Sequence, residues 1–143
     1  MALSTRTTSP AVPVAERGRV VAPVVDAARI VGSVVCAVSA GVHAGLVPAH
    51  LRESSSLGVL FVVASVLLGL AGLVVSDRGA GATPLTGAAV VLGGTALAYL
   101  LSRTTGLPRL SEPEPWDALG LFTTLSEVAC AAACLLIILR RDR

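Results

Sequence analysis

Six side chains stand out against an otherwise apolar chain: His43, His50, Glu53, Tyr99, Arg103 and Glu127. His43 and His50 are seven residues apart. On a straight helix they share a face but stand ~10 Å apart along the axis, too far for one metal ion. Pro48 lies between them, removes a backbone donor and is expected to kink or end the helix, folding His50 back toward His43. His50 and Glu53 are three residues apart, so any helical turn brings them to one side. With Glu127 these residues offer two imidazoles and two carboxylates, a donor set that suits Zn, Fe or Cu. H-x6-H-x2-E is no established ligand spacing, and interfacial histidines with ordinary hydrogen bonds are the plainer reading. Haem fits poorly, because both imidazoles come from one helix and point the same way.

Glu127 is the most informative single residue. A carboxylate inside a membrane helix costs several kcal/mol unless it is paired, protonated or facing water. It is therefore expected to face inward, with Arg103, Tyr99, His43 and His50 as candidate partners. It serves either as a structural clamp that fixes helix register or as a ligand, proton or metal site. Cys130 and Cys134 are four apart, and Cys36 is expected at a similar depth on the first helix. Buried cysteines usually act as small apolar fillers, and no C-x-x-C is present. The glycines form no G-x-G-x-x-G after a strand, and no basic stripe with interleaved aromatics points to nucleic acid.

The elements that must position these groups are apolar runs. Of 143 residues, 54% are hydrophobic and 14% charged, against about 25% charged in soluble domains. Four runs, 30–48, 57–76, 84–102 and 118–139, each approach the ~20 residues needed to cross a bilayer. Short polar breaks separate them. The expectation is an all-α bundle of four transmembrane helices, up-down-up-down. Residues 1–25, rich in Pro, Ser and Thr and without the apolar core of a signal peptide, are expected to form a disordered cytoplasmic tail.

All eleven cations are Arg. Eight (Arg6, Arg17, Arg19, Arg29, Arg78, Arg140, Arg141, Arg143) fall on one face and three (Arg52, Arg103, Arg109) on the other. By the positive-inside rule this places both termini in the cytoplasm, in a cell (inner) membrane. Both histidines, Glu127 and all four aromatics (Phe61, Tyr99, Trp116, Phe122) then occupy the outer half. Ser33, Ala37, Gly41 and Gly45 recur every four residues, a ridge suited to close packing within the bundle or in a homodimer. Other small residues on the remaining helices lead to the expectation of tight packing without a large lumen. The acidic third connection, with Glu112, Glu114 and Asp117, is read as a solvated loop, a lid or a docking surface.

His43, the HLRE of His50 to Glu53, Gly58-x-Leu60-Phe61, the SRTTGLP of Ser102 to Pro108, and Glu127 together are similar to a group of uncharacterised small actinobacterial four-helix integral membrane proteins. The resemblance covers 30–139. It implies the four-helix fold and suggests that the outer polar residues belong together, and it supplies no activity.

These residues point to an integral membrane protein with an outer-leaflet polar site. That site would hold a metal ion, a proton or a small polar ligand, or the bundle would serve a larger complex as an accessory protein. The rivals are a small metal-dependent oxidoreductase or hydrolase, with Glu127 as base and the histidines as ligands, and a purely structural subunit.

Overall fold

A computed structural model describes the backbone of 14–107 and 112–141 and the side chains of 25–107 and 112–140. The expected tail over residues 1–13, and Pro108, Arg109 and Arg143, lie outside the described residues. The helices are α1 (Val14–Glu53), α2 (Ser55–Ser76), α3 (Ala82–Thr104) and α4 (Ala118–Arg141), and among the described residues there is no strand. All four carry stretches long and apolar enough to span a bilayer. The protein is a four-helix bundle of the transmembrane kind.

The inward faces recur at heptad-like spacing. On α1 they are Arg29, Gly32, Cys36 and Ser39; on α4, Thr123, Glu127, Cys130, Cys134 and Ile137. On α2 they are Leu68, Ala71, Gly72 and Val75, and on α3 Leu85, Ala88, Ala89, Leu92 and Ala96. Such spacing keeps one seam of each helix on its neighbours. The outward faces are equally apolar, with Val38, Leu70, Leu97 and Leu125 exposed. Among the described residues the buried polar ones are Arg29, Ser39, Thr123 and Glu127. Apolar outside and selectively polar inside is the arrangement lipid demands.

α1 packs most extensively on α2, and α3 on α4. The first pair turns on one residue. Ser54 is extended (φ −155°, ψ 130°); its N–H donates to the His50 carbonyl at 2.8 Å, and its carbonyl accepts from the Gly58 N–H at 3.0 Å. A Cβ on Gly58 would stand 2.9 Å from the Leu51 Cα, so only glycine lets the chain reverse so tightly. At the opposite end the α2–α3 turn is closed by the Gly79 N–H donating to Asp77 Oδ1 at 2.8 Å.

Several expectations are corrected here. Pro48 does not end α1, which runs on to Glu53. Proline removes one hydrogen bond, and in an apolar membrane helix the flanking bonds hold the path. The backbone is helical from Val14, so the second half of the expected tail continues α1. Extending an existing helix adds a hydrogen bond for each residue fixed, without a new nucleus. The small-residue ridge divides. Gly72 packs against Cys36 and the Ser33 carbonyl, whereas a Cβ on Gly41 or Gly45 would meet nothing within 4 Å. A four-residue repeat drifts around a helix of 3.6 residues per turn, so the ridge leaves the contact face. Finally, the packing is tight only in the half with the buried termini-side residues. There Cys36, Leu68, Val75, Leu85, Leu92, Cys134 and Ile137 form a continuous core. The other half opens into a cavity.

Candidate functional site

The cavity holds about 620 Å³ between the α1–α2 and α3–α4 pairs, at the end that carries His50 and Arg103. Its walls are mostly aliphatic, from residues such as Leu46, Leu60, Ala64, Val91 and Ala98. Polar groups are confined to its floor and its mouth. Volume and lining are those of a small-molecule site with a few convergent polar groups.

Glu127 forms part of the floor and is 1% exposed. Its burial follows from its sequence: a carboxylate eight or more residues from either end of an apolar helix has no water to reach and must turn inward. Ser39 Oγ of α1 donates to Oε1, and Thr95 Oγ1 of α3 lies 3.0 Å from Oε2. The carboxylate thus joins three helices. Among the described residues its hydrogen-bond partners are these two hydroxyls; none of the four expected partners touches it. His43 connects indirectly. Its Nδ1–H donates to the Ser39 carbonyl at 2.9 Å, which leaves Nε2 of the neutral ring as an acceptor.

At the mouth, Arg103 is gripped from two sides. Nη1 donates to Glu114 Oε2, Nη2 donates to Asp117 Oδ2 at 2.8 Å, and the guanidinium lies 4.8 Å from the centre of the Tyr99 ring. The Arg103 side chain is 12% exposed, so this cluster is shielded from water and worth more than a surface pair. The connection is fixed by backbone as well. The Glu114 N–H donates to the Ser102 carbonyl at 2.9 Å, and Asp117 Oδ1 accepts the Gly120 N–H at 2.7 Å as a cap on α4. Tyr99 Oη donates to the Asp117 carbonyl at 3.2 Å, and its ring meets Trp116 edge-on at 6.0 Å.

The second polar group at the mouth is built on Phe61 of α2. Its ring stacks on His50 at 3.9 Å and packs tilted against His43 at 5.4 Å. His50 Nδ1 stands 3.3 Å from Glu53 Oε2. One ligand atom from each of His50, Glu53 and Glu114 lies within 4.8 Å of the others, the one group of three such residues among the described residues with metal-ligand spacing. Of the expected metal set His43, His50, Glu53 and Glu127, only His50 and Glu53 share that spacing.

The structure thus lines one cavity with His43, His50, Tyr99, Arg103 and Glu127, while Glu53 stands at its rim bonded to His50. Sequence reasoning did not single out Ser39, Thr95, Glu114 and Asp117. The available signal was charge balance: Arg103 ends an apolar helix, and acids follow it 11 and 14 residues on. It also read Arg29 only as a topology signal. The residue is 3% exposed, and Nη1 donates to the carbonyls of Val75 at 3.0 Å and Asp77 at 2.8 Å. It satisfies the carbonyl end of α2 and complements its dipole. The three cysteines are buried in the packed half, where the Cys130 thiol faces the Gly32 carbonyl at 3.6 Å. No family model, curated protein or solved structure matches the chain.

Proposed function

We propose that the protein is a binding protein of the cell membrane whose outer-half cavity takes an amphipathic small molecule, with both termini in the cytoplasm. The observation that carries this reading is the cavity of about 620 Å³, aliphatic along its walls and polar only at its two ends. An amphipath places its chain against the aliphatic walls and its polar group on Arg103, Tyr99 and the imidazoles, or on Glu127. The excess of Arg on the termini side supports the orientation. Mass spectrometry of organic extracts of protein purified in mild detergent tests this. Wild type is expected to carry a near-stoichiometric amphipathic molecule that Ala98→Trp, which fills the cavity, lacks. Equal amounts on both proteins, or none on either, would count against the reading.

The 4.8 Å group of His50, Glu53 and Glu114 supports a second reading, a divalent transition metal at the mouth. One imidazole and two carboxylates suit Zn or Fe, and Asp117 would keep Arg103 paired when Glu114 turns to the ion. Stoichiometric metal that is lost in Glu114→Gln but kept in Glu127→Gln is the expected result of elemental analysis. Metal retained by Glu114→Gln would remove this site.

A further inference from the structure

The mouth is close to self-contained: the Arg103 guanidinium is already matched by Glu114 and Asp117, which together supply more negative charge than it carries. At the floor, Glu127 has two hydroxyl partners and, among the described residues, no cationic one. Around it lie aliphatic walls. A buried carboxylate in such surroundings is stable as an ion only when a positive charge reaches it. Among the described residues no arginine lies near the floor: the neighbouring polar groups are the hydroxyls of Ser39, Thr95, Thr123 and Thr124 and the His43 ring.

Resting on the cavity reading above, we propose that the cavity selects apolar cations, with Glu127 as the counter-ion at its floor. The chemical class is a lipophilic amine or other organic cation whose charged centre sits at Glu127 and whose hydrocarbon lies against α2 and α3. Ser39 and Thr95 hold the carboxylate from two sides, so it needs no rearrangement to receive the charge. The acidic excess at the mouth acts in the same sense and disfavours anions on entry.

Three phenyl-bearing probes of similar shape and different charge separate the possibilities: tetraphenylphosphonium, triphenylphosphine oxide and tetraphenylborate. Each is titrated against the full-length protein in zwitterionic nanodiscs, with empty nanodiscs subtracted. Binding is read as an increase in melting temperature and by equilibrium dialysis. The expected result is tight binding of the phosphonium, with affinity about tenfold or more above that of the neutral oxide, and no binding of the borate. In Glu127→Gln, checked for folding by its melt and elution, the phosphonium and the oxide bind alike. Equal wild-type affinity for cation and neutral probe, or preference for the borate, would overturn the cation assignment while leaving the cavity reading intact. Failure of all three to bind, or undiminished binding to Ala98→Trp, would overturn the cavity reading itself. If Glu127→Gln does not fold, the wild-type ratio of cation to neutral affinity still decides.

Discussion

Arg29 and Arg103 are the same residue type at opposite ends of the bundle, and they do different work. Arg103 pairs with two carboxylates and holds the mouth together. Arg29 binds main-chain carbonyls and closes the packed end. Replacing Arg29 with Ala leaves those carbonyls without their donor, and is expected to destabilise the protein by about 1–3 kcal/mol, seen as a lower melting temperature in detergent. A melt identical to wild type would show that the guanidinium does not hold the end of α2. Cys36, Cys130 and Cys134 are all buried, so a maleimide is expected to label them only after denaturation; rapid labelling of the native protein would contradict the packing described. At this scale the sequence was informative where a residue was out of place. A carboxylate in an apolar run must turn inward, and Glu127 does. Its partners were not legible, because hydroxyls recur on every helix and most bond their own backbone, as Thr86 does to Ala82 and Ser126 to Phe122. Nothing local separates Ser39 and Thr95 from these.

The elements show where tight fit matters and where it does not. Gly58→Val puts side-chain atoms into the Leu51 backbone at the reversal between α1 and α2. The expected outcome is a loss of several kcal/mol or failure to fold, read by melting temperature and yield; an unaltered melt would mean that the reversal can relax. At Gly41, by contrast, an added Cβ meets nothing within 4 Å, and Gly41→Leu is expected to leave the melt within a few degrees of wild type. Size-exclusion mass measured alongside would show whether that open face contacts a second copy. The four spans were legible from hydropathy because length and apolar content alone define them. Which face of each helix turns inward was not, since in lipid both faces are apolar and the amphipathic signal vanishes. That is why the ridge ending in Gly41 and Gly45 read as a contact face and lies half open.

For the molecule as a whole, the bundle is two helical hairpins joined firmly at one end and held apart at the other. A C-terminal fluorescent-protein fusion is expected to glow and a C-terminal alkaline phosphatase fusion to be silent; the reverse pattern would invert the proposed orientation. The cavity escaped sequence reading because volume depends on how far α2 and α3 stand apart, and small residues signal close approach without saying where it happens. The sealed half has a final consequence. With Leu68, Leu85, Leu92 and Cys134 almost wholly enclosed, the packed half closes the bundle on the termini side of Glu127. On the binding reading proposed above, a bundle closed in this way holds a molecule and conducts no ions, so vesicles bearing the protein should hold a proton gradient as long as bare ones do.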